Sequence, residues 1–266
     1  MHKTVVIICD GQFPKTEYPR YLIRTADFII CCDGALRKFI RNSNAVFGQE
    51  RLPDLVIGDM DTLPLPLQKK YSDIIIKETE QEHNDQTKAV RWALENIDDI
   101  GNIYIMGSAG GRADHTIGNL SLLMEYTRMF DLSGTMIEAV TDNGTAFAVN
   151  DTTEFDCGIG RSVSIFSPDN SLRIRSAGLE YPTDEVIFDN WWKATLNKAV
   201  QDNVRLEFRR VLFRSVWSAL PPVDPIIYIW SISGIFPMAH LTALVWSLCS
   251  CSDSFIIMSE YFFCQD

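Results

Sequence analysis

Two aspartates separated by one methionine, Asp59 and Asp61, end the apolar run Leu55-Val56-Ile57-Gly58. On a strand they share a face, and on a strand-to-loop turn both can converge on one cation. Hard carboxylate oxygens suit Mg²⁺, which also keeps water and phosphate oxygens around it. The plain alternative is a solvated turn that Gly58 allows to bend. A second candidate lies in ETEQEHNDQTKAV, where Asp85 opens a helix and Gln81 offers an amide to a ligand. The structural use of Asp85 would be a cap or a first-turn charge. The third is GSAGGRADHTIGN, residues 107–119. Gly110 and Gly111 let backbone pass close to phosphate oxygens. Arg112 suits phosphate through its forked donors. Asp114 can hold a metal or orient an acceptor, His115 can touch a nucleotide or cap the helix, and Asn119 lies one turn in, able to face a cleft. A tight strand-to-helix turn with a surface arginine is the simpler reading of this loop. It is not a GxxxxGK[ST] phosphate loop, and the first strand leads into CDGQFP and not GxGxxG. A nicotinamide enzyme is therefore poorly supported. There is no GxSxG elbow and no HExxH zinc motif.

Residues of these types act together only if a scaffold gathers them. The runs TVVIICD, DFIICCD, DLVIGDMD, DIIIKE and NIYIMG are short and almost continuously apolar, as suits parallel strands covered on both faces. Helical spacing recurs between them: Val90, Leu94 and Ile97 after a start capped by Asn84 or Asp85, and Ile117, Leu120 and Met124 after the glycine loop. The expected class is α/β, an open and mostly parallel sheet with flanking helices over residues 1–130. Three of its strands finish in aspartate, at Asp10, Asp33 and Asp59. Ligands of such sheets bind beyond the carboxyl ends of the strands. That many carboxylates in one crevice repel each other without a cation, and a magnesium-bound polyphosphate supplies the missing charge.

From residue 134 the texture changes to short strand-like pieces divided by Asn, Gly, Asp and Pro, with an Asn143-Gly144 hairpin signal, and residues 134–208 read as a smaller antiparallel β domain. Residues 209–266 read as an atypical apolar tail, better explained as a foreign or ill-folded extension than as a membrane helix. Its opening RRVLFRS resembles translated sequencing-adaptor sequence, so the native chain is expected to be interrupted near Phe208. The chain carries 35 acidic and 24 basic side chains, a net charge of -11, which argues against a nucleic-acid partner held by broad phosphate contacts. Seven cysteines without a CxxC pair make structural zinc improbable. The amino-terminal apolar run is too short for a signal peptide, and the main body reads as cytoplasmic.

Over residues 5 to about 208 the chain resembles the thiamine pyrophosphokinase family. CDG at 9–11 and CDGA at 32–35 look like its early nucleotide-side turns, which places Asp10, Asp33 and Gly34 there. PDLVIGDMDT resembles its GDxDS metal motif, with Thr62 where serine is usual, so a hydroxyl survives. NDQTKAV matches its acidic helix start, and GSAGGRADHTIGN its most distinctive segment. SAGLEYP and WWKATLN resemble its thiamine-side elements. The resemblance implies an α/β nucleotide domain followed by a β-sandwich-like domain, in a homodimer with active sites between subunits. It implies transfer of a pyrophosphoryl group from ATP to the thiamine hydroxyl, leaving AMP, with Mg²⁺ required. By position Asp59, Asp61 and Asp85 would bind Mg²⁺, Asp114 would complete the acidic cluster, and Arg112 would hold phosphate. Ser176 and Asn197 would shape the thiamine side. Trp191 or Trp192 would stack on the flat, cationic vitamin. Two departures stand out: KATLN is poorer in glycine and serine than the family pattern, leaving Leu196 at the pocket edge, and the usual strands after VRLEF are absent or replaced. A magnesium-dependent nucleotide phosphohydrolase and a nucleotide-binding module without catalysis are the competing readings.

Overall fold

The computed structural model describes residues 2–210, 227–231 and 255–258, and the chain separates into two compact units. The first holds residues 1–122 and 132–142. It is built from β1 (Lys3–Ile8), α1 (Glu17–Thr25), β2 (Phe28–Cys32), α2 (Ala35–Phe47), β3 (Leu55–Gly58), α3 (Leu65–Lys70), β4 (Ile75–Lys77), α4 (Asp85–Asn96), β5 (Ile100–Met106), the start of α5 (Ala113–Met129) and β6 (Met136–Val140). Each expected apolar run supplies a strand. β1 (residues 5–8), β2 (29–32) and β3 are buried residue after residue, which fits strands covered on both faces. The sheet order is β6-β5-β1-β2-β3-β4, and every neighbouring pair is parallel.

Three details differ from expectation. β6 lies in the segment read as antiparallel, yet it pairs parallel with β5 and extends the first sheet. Its end is tied in locally: Asp142, just past it, accepts bonds from the Lys15 and Thr16 amides at the head of α1, both 2.8 Å. β4 is an edge strand of three residues, and its Ile76 is exposed. The helical faces also shift. On α4 the buried residues are Gln86, Thr87, Lys88, Ala89, Val90 and Ala93, because two alanines let that side approach the sheet closely, while Leu94 and Ile97 are half-buried. On α5, Leu120 is buried but Ile117 is exposed and Met124 half-buried.

The order reverses between β5 and β1, and there the loops beyond the two strands are zipped together. The amides of Cys9, Gly11 and Gln12 donate to the carbonyls of Met106, Gly107 and Ala109 at 2.7, 2.9 and 2.9 Å. Gly107, at φ +68°, must be glycine, since a Cβ would stand 2.3 Å from the Cys9 carbonyl oxygen. The glycine loop is thus fastened to the end of β1.

Among the described residues, the second unit holds 123–131, 143–210, 227–231 and 255–258. β7 (Thr145–Val149), β8 (Thr153–Asp156), β9 (Ser162–Phe166), β10 (Leu172–Ala177), β11 (Ala194–Lys198) and β12 (Asn203–Arg210) are its main strands. β10, β12 and β8 form one antiparallel sheet, and β9 pairs antiparallel with β11. Phe147 of β7 and Phe155 of β8 meet edge to face, with ring centroids 5.6 Å apart. This is the antiparallel, strand-rich region that the turn chemistry predicts. Within the tail, β13 (Ile227–Ser231) and β14 (Phe255–Met258) stand antiparallel to β7 and β9. The rest of the tail, including most of the RRVLFRS junction and of the apolar stretch weighed as a membrane helix, lies outside the described residues. Among the described residues no helix is long and apolar enough to cross a membrane.

Candidate active site

The carboxyl ends of β2 and β3 bring three aspartates together. Asp33, Asp59 and Asp61 each offer an oxygen, and these atoms lie within 4.8 Å of one another. The backbone makes this convergence with unusual dihedrals. Asp33 has φ +40°, Met60 φ +65° and Gly58 φ +153°. Such strain clusters where the surroundings over-determine it. Met60 is the anchor: its side chain is buried in the core, so the left-handed turn at residue 60 leaves Asp59 and Asp61 on the rim. The Asp61 amide donates to Asp59 Oδ1 at 3.1 Å and closes the turn.

Asp33 is locked. Its Oδ2 accepts from the Thr62 amide at 3.0 Å and the Thr62 hydroxyl at 2.6 Å, and its Oδ1 from the Leu63 amide at 3.1 Å. The Thr62 hydroxyl also accepts from the Gly34 amide at 3.1 Å. That hydroxyl therefore ties the β2 turn to the β3 turn, which gives it a use independent of any ligand.

Asp85 joins from α4. Asn84, not Asp85, caps the helix, its side chain accepting from the Thr87 amide at 2.9 Å. The Asp85 carboxylate is thereby left for the crevice. A Cβ at Gly58 would stand 3.0 Å from Asp33 Cβ and 3.0 Å from Asp85 Oδ2, so Gly58 is the gap between the two carboxylates. Gln81 donates to Asp59 Oδ2 at 3.3 Å. Asp10 reaches the rim beside Gly34, where a Cβ would be 2.7 Å from Asp10 Oδ2, and it is paired with Lys38 at 2.8 Å and Arg37 at 3.7 Å.

The electrostatics follow from this crowding. Burial pushes Asp59 up, but hydrogen bonds from the Asp61 amide, the Gln81 side chain and the Asp61 carboxyl outweigh it and hold Asp59 below the usual carboxylate range. Asp61 is pushed above that range, first by burial, then by sharing a hydrogen bond with Asp33 and by the charge of Asp59. Burial also raises Asp85, opposed by Lys88 and assisted by the charges of Asp59 and Asp33. Neighbouring carboxylates whose acidities are driven apart carry more negative charge than the single ammonium of Lys88 offsets. An all-oxygen donor set in this state fits a hard divalent ion such as Mg²⁺.

The glycine loop supplies position more than charge. Asn119 accepts from Asn84 at 3.0 Å and donates to the Ser108 carbonyl at 3.1 Å, joining the loop to the head of α4. Arg112 and Asp114 are exposed and bound to each other, Nε to Oδ1 at 3.1 Å, so Asp114 turns to the guanidinium and does not complete the carboxylate group. That bond holds Asp114 down at about 2. Gly110 sits against Gln12, Gly111 faces open space, and His115 is exposed at the first turn of α5.

In the second unit Asn197 is buried, and its amide is committed to backbone: Nδ2 donates to the Tyr181 carbonyl at 2.7 Å, and Oδ1 accepts from the Tyr181 and Lys198 amides at 3.1 and 2.8 Å. Ser176 Oγ accepts from the Thr183 amide at 3.1 Å. Both hold loops in place. Trp191 leans on Phe166 at 5.0 Å, and Trp192 carries the Lys193 ammonium 5.9 Å from its ring centre; both indoles are about half exposed. Leu196 sits at a bulge in β11 with φ +59° and is exposed. The sequence reading missed Arg37, Lys38 and Lys88. The signal for Lys88 was its place three residues after Asp85, a spacing at which opposite charges meet on a helix.

Fold and site together define an α/β protein with a carboxylate-lined, strand-end crevice in its first unit and an antiparallel β unit after it. A family model described as the catalytic domain of thiamin pyrophosphokinase matches residues 19–133, and one described as its substrate-binding domain matches residues 144–210. The chain belongs to the thiamine pyrophosphokinase family. Thiamine pyrophosphokinase 1 of Oryza sativa subsp. japonica is 28% identical over 174 residues, covering 59% of this chain and 63% of the relative. Thiamin pyrophosphokinase 1 of Caenorhabditis elegans is 27% identical over 105 residues, covering 38% and 41%. The aligned part is thus 41 to 63% of the length of these two relatives. Among solved structures, thiamin pyrophosphokinase from Candida albicans matches with a TM-score of 0.65 at 16% identity, over 87% of this chain and 90% of that one. The Bacillus subtilis thiamine pyrophosphokinase matches with a TM-score of 0.63 at 18% identity, over 88% and 100%. These two likenesses carry the fold.

Proposed function

We propose that this protein transfers the pyrophosphoryl group of ATP to the hydroxyl of thiamine, giving thiamine diphosphate and AMP. The observation that carries the proposal is the convergence of Asp33, Asp59 and Asp61 with Asp85 at the strand ends, in a chain whose family is named for this reaction. The thiamine oxygen attacks the β-phosphorus in line, the bond from that phosphorus to the α,β-bridging oxygen breaks, and AMP leaves with the electron pair. Asp59 or Asp85 orients that hydroxyl or takes its proton. A Mg²⁺ ion held by Asp59, Asp61 and Asp85 would neutralise polyphosphate charge as it develops. Gln81 keeps Asp59 in place, and Asp33 and Thr62 hold the two turns at a fixed separation. Asp10, Gly34, Gly110, Gly111, His115 and Asn119 form the proposed nucleotide side, and Arg112 would exchange Asp114 for a phosphate oxygen. Trp192, whose face meets the Lys193 ammonium and no other ring among the described residues, is the better platform for the thiazolium ring, while Trp191 is already used by Phe166. Two copies are proposed to associate. The exposed Tyr181, Ile187, Trp191, Trp192 and Leu196 of the second unit supply apolar surface for that contact. Free thiols at Cys9, Cys31 and Cys32 fit a cytoplasmic location.

Purified protein supplied with ATP, Mg²⁺ and thiamine is expected to form AMP and thiamine diphosphate in equal amounts. ADP with thiamine monophosphate would reject the reaction. Phosphate release without thiamine would favour a nucleotide phosphohydrolase, and ATP binding without turnover would favour a non-catalytic module.

A further inference from the structure

Lys88 is only 2% exposed, and it lies in the first turn of α4. Both facts are unfavourable for a cation. Burial removes hydration from an ammonium, and the helix dipole disfavours positive charge at the amino end. The compensation comes from the carboxylate site. Lys88 Nζ donates to Asp85 Oδ1 at 3.2 Å and to the Glu78 carbonyl at 3.2 Å. Asp85 Oδ2 lies beside Gly58, 3.0 Å from where a Cβ there would stand, and Asp33 Cβ is equally close to that point. Glu78 in turn donates its amide to the Gly58 carbonyl at 2.8 Å. One ammonium therefore fixes the rotamer of Asp85 and the exit of β4 against the same glycine that separates the carboxylates.

We propose that Lys88 is the resident counter-ion of the carboxylate site: it holds the site in shape before any metal arrives and lowers the affinity for a free divalent cation. The proposal rests on the reading that Asp59, Asp61 and Asp85 take the metal. Its consequence is selectivity. A divalent ion arriving alone is repelled by the ammonium, while an ion arriving on a polyphosphate brings negative charge with it.

The test is direct binding of Mn²⁺ to the full chain without nucleotide, followed by electron paramagnetic resonance, for wild type, K88M and D61A. K88M is expected to bind free Mn²⁺ about tenfold more tightly, the order for removing one like charge from a partly wet site. D61A is expected to weaken it. In EDTA, K88M should melt below wild type, and saturating Mn²⁺ should narrow the gap. Equal or weaker Mn²⁺ binding by K88M, with D61A weakened, overturns the role of Lys88 alone. Mn²⁺ binding that D61A leaves unchanged overturns the metal reading together with it. If K88M does not fold without metal, D85N/K88M, which removes both charges of the pair, is expected to fold. Failure of that double variant would show that Lys88 matters for packing and overturn the counter-ion role.

Discussion

Glu138 gives the most quantitative prediction. It stands on β6 opposite Tyr104 of β5 and is buried. Burial alone drives its carboxyl from the ordinary 4.5 up to about 7. The effect reaches its neighbours: Tyr18 and Tyr104 are raised by their own burial and then by the Glu138 charge. A carboxyl with a raised folded-state pKa binds its proton more tightly in the folded chain. Its contribution is therefore fully present below about pH 4.5 and is lost as pH rises toward 7. The separation of the two values corresponds to about 3 kcal/mol, all of it lost above pH 8. Glu138→Gln keeps the shape and the neutral state at every pH. Urea denaturation of wild type and E138Q, each from pH 4.5 to 8.5, cancels every other titrating group in the difference. The variant is expected to match wild type at the acid end and to exceed it by about 3 kcal/mol at the alkaline end. An E138Q protein less stable than wild type at pH 8 would mean that an ionised Glu138 is favourably paired, and burial would then not be what raises its pKa.

Three further substitutions test the site. Gly58→Ala places a Cβ 3.0 Å from Asp85 Oδ2 at a left-handed φ, so it should cost about 1–3 kcal/mol and abolish saturable Mn²⁺ binding; retained binding would show that the carboxylates do not depend on that gap. Thr62→Val removes the hydroxyl that joins Asp33 to the Gly34 amide and should lower stability by about 1–3 kcal/mol, whereas Thr62→Ser should stay near wild type by thermal melting. Trp192→Ala should raise the KM for thiamine about three- to tenfold, the loss of a half-exposed cation–π platform. Trp191→Ala should chiefly lower the melting temperature through its lost contact with Phe166. A reversed pattern between the two tryptophans would reassign the thiamine platform.

Several features of this protein were legible in its sequence. Unbroken apolar runs such as Val5-Val6-Ile7-Ile8 suit cover on both sides, so the parallel sheet followed from the order of those runs and the helical spacing between them. Aspartates at the ends of those runs had to lie at the carboxyl edge, and Gly58 beside Asp59 marked a bend. Other features were decided only by tertiary structure. TMIEAV carries a glutamate among apolar residues and suits either kind of strand; β5 offered a parallel edge, and that long-range pairing drew β6 into the first sheet. Asn84 and Asp85 were equally good caps by type, and geometry gave the cap to Asn84, freeing Asp85. Arg112 and Asp114 read as two ligands for the crevice, but two residues apart on an exposed turn they neutralise each other first. Nothing in the local pattern marks Lys88 as buried; its 2% exposure is set by how α4 packs. Local pattern reports how a side chain relates to its own strand or helix. Whether Asp33, Asp59 and Asp85 share one charge balance with Lys88 depends on the order in which β2, β3 and α4 pack, and no single stretch of chain contains that order.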